Sequence, residues 1–574
     1  MLSGGRHQSA ADLLVQATAL QPASVAAHFL LGNAHQFLGK LAPALESYQS
    51  ALTLNPQHVD AHNNMGGAYQ YQGRLDHAIA CYRRALTLKP DYPEALNNLG
   101  GALQLQGKLD ESIACYRRAL ALRPYYPDAN SSLLMALAGS PAVSPAEYLN
   151  EARLYGTKMR ARAKPFTSWP AGAQAAGRGR VYAQAPPVSY ADLLADPHAG
   201  PLSLLRVGLV SGELRMNPVG YFLESILAHI DPARIQLLAF PTNRREDALT
   251  ARLKPRFASW HDITGLDDAA AARTIHTAAP HILIDLAGHT VHNRLPVFAW
   301  KPAPVQVSWL GYFASTGVPG MDYLVADPLS VPEARRGDYS ESVWNLPATR
   351  LCFTPPAGDA ALAATPLPAL RNGFVTFGSF QRLTKFNDTV LAAWGRILHT
   401  LPAARLRLQM IEMRWPEARE QLILRLETFG IARTRITVLP EVARPAYLAA
   451  HSEIDMILDT FPFPGGTTTC EALWMGVPTL TLKGSTLLAR QGASLMTAAG
   501  LPGWVAESAD DYVSRAIAHA TAIGDLAQLR SQLRSSVMAS PLCNASRFAR
   551  HLEHALHGMW QQHAAQLTFD RLTP

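Results

Sequence analysis

Two patterns of apolar and polar positions divide this chain. Up to Pro124 it is built from helix-like segments whose small, aromatic and apolar positions return every 34 residues. Gly32, Gly66 and Gly100 share one place in the period, and Gly39, Gly73 and Gly107 another. Tyr48, Tyr82 and Tyr116 recur in the same way, as do Ala51, Ala85 and Ala119, and Pro56, Pro90 and Pro124. After Leu204 the rule changes, and short apolar runs alternate with helix-like segments. "LRVGLVS", "IQLLAF", "HILIDLAG", "VQVSWLG" and "DYLVAD" form one series; "GFVTFGSF", "RLRLQM", "RITVLP", "IDMILD" and "PTLTL" form a second, from Gly373.

The unit "DAHNNMGGAYQYQGRLDHAIACYRRALTLKP" has the period and residue types of a tetratricopeptide repeat, a pair of antiparallel helices. Glycine and alanine belong where helices approach closely, and the proline ends the second helix. Pro22 extends the register backwards, so part of a repeat precedes the full ones; after Pro124 the pattern decays. Stacked repeats form a concave surface. Asn63, Asn64, Asn97 and Asn98 recur on the first helix of successive repeats. They read either as solvated polar positions or as an amide ladder, able to donate and accept along an extended peptide. Repeats alone would suit a peptide-binding adaptor.

Strand runs buried on both faces and separated by helices predict parallel sheets, here two doubly wound halves facing a cleft. The expected divisions are repeats and transition helices over 1–158, a connector rich in Ala, Gly, Pro and Arg over 159–204, a first half over 205–370 and a second over 371–574. In such folds ligands bind at the carboxyl ends of strands. Neither a GxGxxG after the first strand nor a GxxxxGK[ST] is present, which disfavours dinucleotide and P-loop chemistry.

Composition changes little. The net charge of +7 suits an anionic ligand, but the arginines are scattered, which argues against a nucleic-acid surface. Five cysteines without a CxxC argue against a disulfide framework or structural zinc. The start of the chain lacks an apolar signal stretch and no long apolar run occurs, so the expectation is a cytoplasmic protein without a membrane partner.

The sharpest chemical signal is "LDTFPFPGGTTTCEALW", which starts at Leu458. Gly466, Thr467 and Thr468 fall where a strand gives way to a helix, and free N–H groups there favour an anion. Glu471 is expected near the first turn, either as a partner of the helix dipole or as an acceptor for ribose hydroxyls. Lys385 closes a second strand end, "TFGSFQRLTKF", with Arg382 beside it and Arg444 as a weaker member of the basic group. Asp455 and Asp459 flank "MIL" and are not spaced as a metal pair. No metal site is expected.

These stretches, with "VGLVSGELRMNPVGYF", "DLAGHTVHNRLPVF" and "KPAPVQVSWLGYFASTG", resemble the O-linked N-acetylglucosamine transferases. The resemblance implies a GT-B fold and inverting, metal-free transfer of GlcNAc from UDP-GlcNAc to serine or threonine of a protein acceptor. It implies that Lys385 stabilises the departing diphosphate, that Thr467 and Thr468 bind phosphate and that Glu471 faces the ribose. Arg444 and Tyr447 fall near the uridine, with Tyr447 where a histidine is common. Leu310 and Gly311 match the segment that shapes the sugar pocket, and His289 is expected to face the cleft. Asn217 stands where the family usually has a histidine, and neutral Asn is no general base near pH 7. Arg382 stands where Gln or Asn is usual. A different nucleotide-sugar donor, or a repeat scaffold with an impaired UDP-binding domain, are the alternatives.

Overall fold

The computed structural model describes residues 2–170, 204–356 and 364–572, with side chains from 8 to 566. Most of the expected connector, 171–203, lies outside the described residues. The chain folds as two compact units that do not follow chain order. One holds Met1–Ser140 and Asn372–Ile454; the other holds Pro141–Arg371 and Asp455–Pro574.

The first unit begins with eight helices: α1 Leu2–Leu20, α2 Val25–Phe37, α3 Leu41–Leu54, α4 Val59–Tyr71, α5 Leu75–Leu88, α6 Pro93–Leu105, α7 Leu109–Leu122 and α8 Pro127–Gly139. The 34-residue period has a direct cause. In each repeat a tyrosine of the second helix lies flat against the glycine of the first. A Cβ on Gly32, Gly66 or Gly100 would come within 2.5, 2.7 or 2.7 Å of the ring of Tyr48, Tyr82 or Tyr116. Each hydroxyl then donates to a glutamine one turn on: Tyr48 to Gln36 at 2.7 Å, Tyr82 to Gln70 at 2.9 Å and Tyr116 to Gln104 at 3.1 Å. Gly39, Gly73 and Gly107 take positive φ, +72°, +71° and +79°, in the turns between the paired helices. Pro56, Pro90 and Pro124 directly follow the C-caps Asn55, Lys89 and Arg123.

The repeats also pack on the 372–454 segment of their own unit. A Cβ on Gly73 would meet the Trp415 ring at 2.1 Å, and Gln421 donates to Asp76 at 2.5 Å.

In the second unit α9, Pro145–Arg160, precedes a seven-stranded parallel sheet of order β3-β2-β1-β4-β5-β6-β7. Its strands are β1 Leu205–Ser211, β2 Ile235–Pro241, β3 Ser259–Trp260, β4 Ile282–Asp285, β5 Val305–Ser308, β6 Tyr323–Ala326 and β7 Ser342–Asn345. The five apolar runs of the first series are β1, β2, β4, β5 and β6. The edges β3 and β7 carry no such run; two residues form β3, and β7 is only partly buried. The second parallel sheet has the order β10-β9-β8-β11-β12-β13. β8 Thr376–Ser379, β9 Arg405–Met410 and β10 Ile436–Pro440 belong to the first unit; β11 Met456–Leu458, β12 Thr479–Leu482 and β13 Val505–Ala506 belong to the second. Among the described residues no helix is long and apolar enough to cross a membrane.

Neighbouring glycines provide a test of the repeat packing. Gly100→Ala must displace Tyr116 and should destabilise the protein by about 1–3 kcal/mol. A Cβ on Gly101 meets only ordinary contacts, at 3.6 Å and beyond. Gly101→Ala should leave stability unchanged or raise it by up to about 1 kcal/mol. Denaturant melts of the two variants check this; equal losses would contradict the packing described.

Candidate functional site

The turn between β11 and the helix Thr467–Trp474 is built on one buried carboxylate. Asp459 has no exposure; its Oδ1 accepts from the Thr460 N–H at 3.0 Å and the Gly465 N–H at 2.8 Å. Its Oδ2 accepts from the Thr481 hydroxyl at 2.9 Å, and its main-chain oxygen accepts from Tyr512 at 2.9 Å. Thr460 donates to the Phe463 carbonyl at 2.6 Å, closing the turn that carries the cis Phe461–Pro462 bond. The chain therefore arrives at Gly466, the N-cap, which has no side chain to satisfy the helix N–H groups. Thr467 and Thr468 are half-buried at this helix start, which no side chain caps and where the dipole favours an anion. The third threonine differs: Thr469 is buried, and its hydroxyl has no partner among the described residues. Glu471 is the fifth helix residue, just beyond the first turn, and is buried.

In the same unit Leu310 and Gly311 follow β5. Leu310 takes φ +74°, and a Cβ on Gly311 would lie 2.0 Å from the Leu286 carbonyl oxygen, so only glycine fits. The loop continues through Tyr312, whose hydroxyl meets that of Tyr148 on α9 at 2.8 Å. Glu341, also buried, accepts from the Thr316 N–H at 2.7 Å and the Ser315 hydroxyl at 2.7 Å.

His289, in the loop after β4, is 3% exposed and packs edge-on against Tyr155 and Tyr312. Its Nε2 lies 3.0 Å from the Thr316 carbonyl, which can only accept, so that nitrogen carries the proton. Burial lowers its pKa to about 4. Asn217 is the N-cap of the helix Pro218–His229, its Oδ1 accepting from the Gly220 N–H at 3.2 Å. Asn followed by Pro at the first helical position is a helix-start signal that sequence reasoning left unused.

In the first unit Lys385 ends a short turn after β8, half-buried, its Nζ donating to Gln381 at 2.9 Å; Arg382 beside it is exposed. Arg444 opens the helix Arg444–Ala449. Tyr447 on that helix meets Phe380 edge-on, ring centroids 5.0 Å apart, so the β8 end and this helix converge. Buried His451 completes the cluster 4.4 Å from Phe380, and neither residue was singled out from sequence. The asparagines form a chain of their own. Asn98 donates to Asn63 at 3.0 Å, Asn63 to Asn64 at 3.1 Å and Asn64 to Asn33 at 2.9 Å, while the Asn97 Oδ1 is buried without a partner among the described residues. Within the described residues no group of three or more His, Cys, Asp or Glu is placed to hold a metal ion.

His289 gives a pH prediction. Its folded pKa lies below the 6.5 of a free histidine, so the unfolded chain takes up the proton first as pH falls. The contribution of neutral His289 is therefore full above pH 6.5 and is lost on acidification towards pH 4, by up to about 3 kcal/mol. Stability measured from pH 8 to 4 should fall less steeply in His289→Gln than in the wild type. Identical slopes would contradict the assignment.

Residues 186–353 and 360–552 match glycosyl transferase family 41, while 38–73, 66–107 and 93–126 match tetratricopeptide repeats. A Solanum lycopersicum protein named probable UDP-N-acetylglucosamine–peptide N-acetylglucosaminyltransferase SPINDLY is 37% identical over 364 residues, 62% of this chain and 39% of that protein. An Arabidopsis thaliana protein, named with the same activity and SEC, is 28% identical over 403 residues, 66% of this chain and 39% of that protein. This chain thus spans about two fifths of the length of the curated relatives it matches. A solved structure of a mutant Thermobaculum terrenum O-GlcNAc transferase superposes with a TM-score of 0.81 at 32% identity, covering 95% of this chain and 98% of that one. The family match runs through both parallel-sheet halves and includes the glycine turn, Lys385 and the Leu310 loop: this chain belongs to glycosyl transferase family 41.

Proposed function

We propose that this chain is a cytoplasmic transferase that moves N-acetylglucosamine from UDP-GlcNAc to serine or threonine hydroxyls of proteins, inverting the anomeric centre. The observation that carries the reading is the glycine turn locked by Asp459, which leaves an uncapped helix end beside the half-buried Thr467 and Thr468. In family 41 that arrangement suits the diphosphate of a nucleotide sugar.

The acceptor hydroxyl attacks the anomeric carbon in line with the departing UDP; the C–O bond to the diphosphate breaks as the new one forms, and the hydroxyl proton leaves to a base. Lys385 and the N–H groups at Thr467 and Thr468 stabilise charge gathering on the diphosphate, in the metal-free manner expected from the sequence. Arg444, Arg382, Glu471 and Tyr447 serve the nucleoside, and Leu310 with Gly311 the sugar. Two observations bear on the base. Asn217 caps a helix, and the protonated nitrogen of His289 is engaged with Thr316. Both features favour a donor phosphate oxygen as the proton acceptor over either side chain. The acceptor protein runs along the concave face of the repeats, gripped by amide valences that the asparagine chain leaves over.

The test is transfer of labelled sugar to lysate proteins, with calorimetry of UDP-GlcNAc against other UDP-sugars. Lys385→Met should lower transfer by about a hundredfold or more. Wild-type activity in that variant would remove its assigned role. UDP binding with no transfer at all would favour a repeat scaffold with an impaired transferase domain, and stronger binding of another donor would reassign the sugar.

A further inference from the structure

Arg350 is one of the largest fully buried side chains of the protein, at 1% exposure, and none of its guanidinium hydrogen bonds goes to a carboxylate. Nη2 donates to the main-chain oxygens of Leu310 at 3.2 Å and Tyr312 at 3.0 Å. Nη1 donates to the Gln491 Oε1 at 3.3 Å, and Nε has no partner among the described residues. Gln491 turns its amide the other way, its Nε2 donating to the Gly465 carbonyl at 3.3 Å. A Cβ on Gly466 would come within 3.0 Å of that same nitrogen. Both residues are anchored. The Arg350 N–H donates to Asp327 Oδ2 at 3.0 Å, and Ser494, one turn beyond Gln491 in the helix Leu487–Ala498, donates to the same oxygen at 2.8 Å.

A buried guanidinium is costly to desolvate, and neutral carbonyls compensate poorly. Burial lowers the pKa only to about 10, so the group is charged at neutral pH. Packing alone would be met by an apolar side chain at lower cost. What the arginine adds is a fork that grips two carbonyls of one loop and, through Gln491, reaches the turn of another. The gripped loop is the one in which Leu310 holds φ +74°, a backbone conformation that needs support.

We propose that Arg350, acting through Gln491, is a positioning residue that ties the loop at Leu310–Gly311 to the turn at Gly465–Gly466, so that donor sugar and diphosphate bind as one unit. The assignment rests on the donor-site reading above. It is specific about energetics: UDP alone needs only the turn, whereas the intact sugar nucleotide needs turn and loop in register. Loss of a hydrogen bond to a charged group corresponds to about tenfold in affinity.

The experiment is calorimetric titration of the full chain with UDP and with UDP-GlcNAc, acceptor absent, for wild type, Gln491→Leu, Arg350→Lys, Arg350→Met and Gln491→Leu/Arg350→Met. The ratio Kd(UDP)/Kd(UDP-GlcNAc) should fall about tenfold in Gln491→Leu and Arg350→Met. It should recover in part in Arg350→Lys and fall no further in the double variant. If Arg350→Met fails to fold, Gln491→Leu and Arg350→Lys carry the test. Parallel weakening of both ligands, or multiplying effects in the double variant, would overturn the relay. A wild-type chain that binds neither ligand removes the donor-site reading itself, and the relay with it.

Discussion

The carboxylate of Asp459 lies at the end of β11 without exposure and commits both oxygens to the chain around it, to Thr460, Gly465 and Thr481. A buried carboxyl group needs hydrogen-bond partners around it, so the β11 end, the turn and β12 must fold together. The consequence reaches the helix that follows. With Gly465 held by Asp459, Gly466 arrives as a cap without a side chain, so no side chain caps the helix Thr467–Trp474. A serine or asparagine there would bring its own acceptor to the helix start; glycine brings none.

The loop after β5 obeys a similar constraint from more directions. Glu341 holds Ser315 and Thr316, Tyr148 holds Tyr312, and Arg350 holds the Leu310 and Tyr312 carbonyls. A Cβ on Gly156 of α9 would sit 1.8 Å from the Gly317 carbonyl oxygen, so helix and loop touch backbone to backbone. In the other unit the repeats are more than a string of helix pairs: the turns at Gly73 and Gly107 lie against Trp415 and Arg425, on the segment that also carries Lys385. The repeats and the segment that carries Lys385 therefore belong to one folding unit of this chain.

The sequence was most legible where the cause is local or periodic. The glycine–tyrosine contact repeats every 34 residues because each repeat solves the same packing problem. The buried strands show as apolar runs because both faces are covered. β3, β7 and β13 escaped notice because short or edge strands need no run. Asp459 was visible only as an acid flanking "MIL", and its role as lock of the turn needed the partners Gly465, Thr481 and Tyr512. Asp455 likewise accepts from the Ala369 N–H at 2.8 Å, a contact across 86 residues. Arg350 and Gln491, 141 residues apart, leave no local pattern at all. His289 read as a strand-end group, whereas tertiary packing between Tyr155 and Tyr312 buries it and fixes its proton.

The central claim is that the locked turn creates the phosphate-binding helix end. Titration of UDP into wild type and Asp459→Ala tests it most directly, with thermal melts confirming that the variant is folded. Ala removes both acceptor oxygens, so the Thr460 and Gly465 N–H groups lose their partner. The account predicts that UDP binds the wild type and that the folded variant binds at least about tenfold more weakly. Equal affinity in the two proteins would contradict it.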